Sequence, residues 1–282
     1  MRGDIEYSKV IDSDEARLAQ AAADKAPFQA SADIDTDKFY ITQKMDLYTD
    51  ENHEVWRTLY TERMKTLDHQ ASKVFLDGMR AIGLPSDSVP SVASINKNLA
   101  ALTGWASRPV PGYLPAKAFF ACLANRQFPT TITIRPKRLM HYLPEPDIFH
   151  DIFGHVPLHA DDVFAEFLQT YGKAALHCED PYHIERLGRL FWFTVEFGLI
   201  REDGRTKLYG SGLISSLGES EHALHSKNVD RRDFDLDLVC DTPFEIDHYQ
   251  PILYVLDSFE QLRDAMNKYA ERVMNARKAS AA

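Results

Sequence analysis

The stretch RLFWFTVEFGLI, residues 189–200, constrains the fold more than any other in the chain. Its apolar side chains fall on every side of a helix, and a helix that is apolar all round belongs in an interior. Read as helix, Trp192 and Phe193 lie one turn before Glu196, and Leu199 and Ile200 one turn after it. Such an element runs through the centre of a larger body and takes a carboxylate with it. An ionised carboxylate is costly there unless it is paired, hydrogen-bonded or bound to a metal. The rest of the chain must supply that partner.

The chain is long enough to build the body: 282 residues, 44% of them hydrophobic, suffice for one large domain or two small ones. A net charge of −10 makes binding to nucleic acid or to an anionic membrane through the overall field a poor fit. No apolar run reaches the roughly eighteen residues of a membrane span. The opening MRGDIEYSKV lacks the apolar core of a secretory signal. The cysteines Cys122, Cys178 and Cys240 are far apart and odd in number, so they form neither a disulfide framework nor a C-x-x-C site. A reducing cytoplasm is the expected location.

Periodicity gives the outline. Residues 1–40 are polar, acidic and Ala-rich, and are expected to form a loosely ordered arm. Helical spacing runs from Glu51 to Ile82 and recurs over 92–103 and 115–126, the last opened by Pro115. TTITI, 130–134, alternates as a short strand ending at Arg135-Pro136. Helices are expected at about 146–153, 161–177 and 181–200, strands at TKLYG and ILYVL, and a closing amphipathic helix over 258–274. The expected fold is mainly α with a few short β-strands (α+β), a single domain over 41–275 followed by a disordered tail, 276–282.

Among eleven histidines, one segment stands out: LPEPDIFHDIFGHVPLH, 143–159, with His150, His155 and His159 beside Asp147 and Asp151. Pro144 and Pro146 favour a helix start, and Ile148, Phe149, Ile152 and Phe153 give its turns apolar faces. Gly154 reads as a helix stop and Pro157 prevents continuation. On an uninterrupted α-helix, residues five apart point about 140° away from each other. The expected break at Gly154 would let the chain turn and bring His155 back toward His150. Two imidazoles and a carboxylate are the facial triad of non-haem Fe(II) oxygenases, and the same atoms in a tetrahedron suit catalytic zinc. The H-E-x-x-H motif of zinc proteases is missing. Plainer readings stay open: the histidines as helix-end hydrogen-bonding groups, and Glu196 paired with Arg186, Arg189 or Arg201.

PEPDIFHDIFGHVPL, FWFTVEFGLI and YGSGLISSLGE, in that order, resemble the aromatic amino acid hydroxylase family over about residues 40–270. The resemblance implies the catalytic, iron-binding domain of that family, with Fe(II) held by His150, His155 and Glu196. It implies tetrahydropterin as cofactor, O2 as co-substrate, and ring hydroxylation of a small-molecule substrate, an aromatic amino acid. Phenylalanine to tyrosine is the default for bacterial members, with tryptophan, tyrosine or another ring position as alternatives. Arg135 matches the arginine that holds the substrate carboxylate, a role suited to a guanidinium fork. Pro146, Trp192, Gly212 and Ser215 match positions lining the substrate pocket. Gly112, Leu114, Phe119 and Asp151 match positions facing the pterin. Leu143 and Phe191 stand where animal members have threonine and tyrosine. A monomer without allosteric activation is expected, acting on small molecules and touching pterin-recycling enzymes only indirectly. A zinc hydrolase and a non-catalytic metal or amino-acid binder are the competing classes.

Overall fold

The computed structural model describes residues 13–25, 34–141, 146–246 and 248–280. Two long stretches of helix come first. Helix α2 (Asp50–Gln70) follows α1 (Ser13–Asp24) and opens with a reciprocal cap. Thr49 Oγ1 accepts from Asn52 N at 3.3 Å and Asn52 Oδ1 accepts from Thr49 N at 3.0 Å. The single periodic run expected over 51–82 is two helices, because Ser72 caps a new one, α3 (Lys73–Ala81). At the break, Ser72 N donates to Leu208 O at 2.8 Å, so the chain leaves the helix to meet a strand. Helix α4 (Val92–Thr103) matches its predicted span and ends on Gly104 at φ +73°, a left-handed cap that glycine adopts without strain.

Strand β1 (Ala106–Val110), helix α5 (Ala116–Ala124) and strand β2 (Gln127–Thr131) form a parallel two-stranded unit. The strand expected at 130–134 thus lies three residues earlier. Both strands contain a proline, Pro109 and Pro129, which an edge strand tolerates but which hides the pattern. Helices α6 (Asp162–Leu176) and α7 (Pro181–Phe191) follow. A four-stranded sheet closes the far side, in the order β4 (Arg205–Leu208), β3 (Leu199–Glu202), β6 (Ile252–Leu256), β5 (Asp230–Asp233). Strand β3 is antiparallel to β4 and parallel to β6. The expected helix over 181–200 therefore stops short. Leu199 and Ile200 belong to β3, and a Cβ on the intervening Gly198 would lie 2.1 Å from the Tyr209 ring. Short helices α8 (Ser211–Ser215), α9 (Leu217–His225) and α10 (Leu236–Asp241) and the long α11 (Phe259–Ser280) complete the order.

The stretch expected as a loose arm contains α1, which is docked. Ala19 and Ala23 are buried, Gln20 Nε2 donates to Tyr113 O at 3.2 Å, and Glu15 Oε1 accepts from Thr42 N at 2.7 Å. Of the expected tail, α11 runs on to Ser280, and residues 281–282 lie outside the described residues. Most buried apolar side chains form one core, with Trp56, Phe149 and Phe153 among its fully buried rings. A smaller cluster of Ala23, Phe39, Val110, Leu114, Ala118 and Cys122 sits under α1. Cys122, Cys178 and Cys240 are free and buried. No described helix is long and apolar enough to cross a membrane.

Candidate metal centre

The segment carrying His150 and His155 is a π-helix, Phe149–His155, continued by a 3₁₀ turn, Val156–Ala160. The helix stop expected at Gly154 is absent; Gly154 lies inside the π turn. Its hydrogen bonds span five residues, so residues i and i+5 share a face, and single π turns of this kind recur at functional sites. The winding does what the expected break was meant to do. Pro157 offers no N–H to the preceding turn, so the α register cannot close there. The apolar face is fixed by rings: Phe149 stacks on Phe153 at 4.5 Å, and Trp56 meets Phe149 edge-on at 5.3 Å. The opposite face carries the imidazoles.

Glu196 ends a second π-helix, Trp192–Glu196, joined directly to α7. Phe197 N donates to Trp192 O at 2.9 Å, a five-residue bond. Thr194 Oγ1 donates back to Leu190 O at 2.5 Å, a side-chain bond that competes with the α ladder at this point. The turn brings Glu196 to the two histidines. His155 Nε2 lies 3.2 Å from Glu196 Oε1 and 3.2 Å from His150 Nε2, and His150 Nε2 lies 3.5 Å from Glu196 Oε2. Two atoms each bound at about 2.1 Å to one ion stand about 3.0 to 3.4 Å apart; the two 3.2 Å spacings lie in that range and the 3.5 Å spacing just above it, so the group suits a single divalent metal.

The electrostatics agree. Burial works to raise the Glu196 carboxyl, but the facing His155 and His150 imidazoles and the Ser211 hydroxyl hold it down to about 2. Burial pushes His150 down to about 4 despite the nearby carboxylate. The site thus presents an anion and a neutral imidazole, the states a metal requires. The alternative partners of Glu196 are engaged elsewhere: Arg186 with Asp237 and Asp241, Arg189 with Glu185, Arg201 with Asp233 and Asp257. His150 Nδ1 lies 3.0 Å from Ser215 Oγ, which itself donates to Ser211 O at 2.8 Å. Ser215 therefore accepts from Nδ1–H, which leaves the Nε2 lone pair turned toward the other ligands. The donor set fits a cation: among the described residues, these three side chains are the group whose ligand atoms all lie within 4.8 Å of one another. His159, the third histidine of the segment, takes no part; it is buried and stacks on Trp105 at 4.9 Å.

The other predicted positions differ in the contacts each makes. Arg135 is buried and forms a fork-to-fork pair with Asp147, Nε to Oδ2 and Nη2 to Oδ1 both at 2.8 Å. Asp147 Oδ1 also accepts from His150 N at 3.1 Å, so one carboxylate ties the arginine to the ligand helix. Trp192 donates from Nε1 to Gln250 Oε1 at 3.1 Å and stacks on Phe244 at 4.4 Å. Pro146 is exposed and directly precedes Asp147 in the chain, and Leu143 lies outside the described residues. A Cβ on Gly212 would stand 3.1 Å from Glu196 O, so α8 lies against the glutamate's own backbone. Ser215, expected to line the substrate pocket, shares its hydroxyl between His150 and Ser211.

Of the positions matched to the pterin, Phe119 meets Phe128 and Phe191 edge-on, and Phe128 lies 4.8 Å from the His155 ring. Asp151 Oδ2 accepts from Thr131 N at 2.6 Å, and burial lifts its carboxyl to about 7. Leu114 turns its side chain into the small core, and a Cβ on Gly112 would meet nothing within 4 Å. Sequence reasoning missed Asp147, Ser211, Phe244 and Gln250 as contacts of the site. Asp147 alone carried a signal, its place three residues before His150.

Comparison with known proteins bears on the same residues. A family model described as biopterin-dependent aromatic amino acid hydroxylase matches residues 32–279. The phenylalanine-4-hydroxylase of Chromobacterium violaceum is 42% identical over 231 residues, 82% of this chain and 78% of that protein. That of Ralstonia nicotianae is 43% identical, covering 80% of this chain and 72% of its own. A crystal structure of the Chromobacterium violaceum phenylalanine hydroxylase, holding iron(III) and 7,8-dihydrobiopterin, superposes with a TM-score of 0.79 at 37% identity, over 92% of this chain and 93% of the other. With the match spanning both π turns and all three ligand residues, the chain belongs to the biopterin-dependent aromatic amino acid hydroxylase family.

Proposed function

We propose that this protein is an iron(II)- and tetrahydropterin-dependent monooxygenase that converts L-phenylalanine to L-tyrosine. The observation that carries the reading is the convergence of His150, His155 and Glu196 from two π turns onto one point. Three ligands leave coordination positions open, unlike a structural metal site with all positions filled. Relatives that share some two-fifths of their residues with this chain are phenylalanine-4-hydroxylases, which favours phenylalanine over tryptophan or tyrosine. Family membership favours a hydroxylase over a zinc hydrolase or a non-catalytic binder.

Iron and tetrahydropterin, when bound, supply the activation of O2. The chain supplies the rest. His150, His155 and Glu196 hold the cation. In the proposed arrangement Arg135 binds the substrate carboxylate, its guanidinium kept rigid by Asp147. Pro146, Trp192 and Gly212 bound the substrate ring, with Trp192 clamped by Phe244 and Gln250. Ser215 reaches the substrate side only through His150, whose tautomer it fixes. Phe119 stacks on the pterin, Gly112 and Leu114 offer backbone to it, and Asp151 faces it from the ligand helix. A carboxyl lifted to about 7 by burial can hold or give up a proton near neutral pH. A monomer remains part of the reading, and three free, buried cysteines fit a reducing cytoplasm.

The direct test is incubation with Fe(II), a tetrahydropterin, O2 and each aromatic amino acid in turn, with product identification. Tyrosine from phenylalanine is the expected result. Hydroxylation of phenylalanine at another ring position, or of tryptophan alone, would correct the substrate or regiochemistry. No hydroxylated product from any of the three would overturn the reading.

A further inference from the structure

Ser211 ties two of the three ligands together. Its hydroxyl donates to Glu196 Oε2 at 2.7 Å. Its carbonyl accepts from Ser215 Oγ at 2.8 Å, and Ser215 in turn accepts from His150 Nδ1 at 3.0 Å. One residue at the start of α8 therefore restrains ligands from two separate π turns. The backbone is built for this approach. A Cβ on Gly210 would lie 2.5 Å from Glu196 O, and a Cβ on Gly154, inside the histidine turn, would lie 3.1 Å from Ser211 O. Glycine on these faces lets Ser211 sit between the two turns, and Ser211 itself is buried, 1% exposed.

A serine hydroxyl has one proton, and an ionised carboxylate can only accept. The bond is charge-assisted and directional. It fixes the rotation of the carboxylate, with Oε2 drawn toward α8 and Oε1 turned to His155. We infer that Ser211 is a positioning residue for the metal centre, holding Glu196 in ligating orientation before the cation arrives. The inference rests on the reading of His150, His155 and Glu196 as a metal site and goes beyond it by adding a residue that touches no cation. Groups that orient ligands in this way typically contribute 10–100-fold in metal affinity.

Ser211→Ala isolates the effect. It removes the hydroxyl yet keeps the carbonyl that holds Ser215, so His150 remains oriented. The experiment is a Co(II) titration of metal-free wild type and variant, read by visible absorption, with the melting temperature of each metal-free protein measured alongside. A Co(II) dissociation constant raised roughly 10–100-fold and an altered Co(II) spectrum, with melting unchanged to about 2 °C, are expected. A serine that merely filled space would move melting but not the spectrum. Wild-type affinity and spectrum in Ser211→Ala would overturn the proposal, as would a variant that fails to fold without metal, which would assign Ser211 to the fold instead. Failure of wild type to bind Co(II) would count against the metal site itself, so the two failures are distinct.

Discussion

Glu196, partly buried, faces His150, His155 and Ser211 with no arginine of its own, since Arg186, Arg189 and Arg201 each pair with other carboxylates. That distinction was not legible in the sequence, where all three arginines lie within ten residues of it. Which side of α7 Arg186 and Arg189 occupy, and which way Arg201 points from β3, decides the matter, and that depends on packing against α10 and the sheet. The cost of the buried carboxylate was legible, and so was the histidine-rich segment that answers it. Asp151, more deeply buried, shows the opposite behaviour. Burial lifts its carboxyl to about 7 in the folded protein, against about 3.9 in an unfolded chain. A raised carboxyl adds stability below its unfolded value, and that contribution is lost as pH rises through the folded value. Asp151→Asn in the metal-free protein should therefore gain on wild type between pH 5 and pH 8, by no more than about 4 kcal/mol. Chemical denaturation at the two pH values measures this; a difference that does not change with pH would contradict it.

At the scale of elements, the decisive features are the two π turns. The 3.6-residue pattern of Ile148, Phe149, Ile152 and Phe153 reads as ordinary helix, and nothing in it signals a change of winding. Gly154 and Pro157 mark the place where the α register fails, but reading Gly154 as a stop misassigns what happens there. Helix α4 was legible because its serine cap and apolar spacing agree, and α5 because Pro115 opens an apolar run, whereas the prolines of β1 and β2 concealed a strand pair. Helix α3 braces the ligand element from behind. A Cβ on Gly78 would lie 2.0 Å from Pro157 O, so backbone packs on backbone just past His155. Neither chain can yield by a rotamer change. Gly78→Ala should lower stability by about 3 kcal/mol and weaken metal binding, although the residue is remote from the ligands in sequence. Thermal melting and metal titration check this; unchanged melting would show that α3 does not brace the turn.

Across the whole molecule, one large core carries the metal centre and a small satellite core carries the loop with Gly112 and Leu114. Helix α1 seals the satellite through Ala23 and holds the loop through the bond from Gln20 to Tyr113 O. Sparse periodicity over 1–40 concealed this helix, because its contact face is made of alanines. Removing residues 1–25 should raise KM for the tetrahydropterin several-fold while kcat at saturating pterin stays near wild type. Steady-state kinetics varying pterin and phenylalanine separately would show it; an equal rise in both KM values would place the effect elsewhere. The overall class, mainly helical with a few short strands, was legible because helix-forming stretches dominate the chain, while the order of the four-stranded sheet was not. That order depends on pairings between β3 and β6, more than fifty residues apart. The account as a whole stands on one cation shared by His150, His155 and Glu196. Anaerobic Fe(II) titration of wild type and of Glu196→Ala tests it most directly. One Fe(II) per wild-type chain is expected, with binding lost in the variant while its metal-free fold is kept; a Glu196→Ala protein that binds Fe(II) as wild type does would contradict the account.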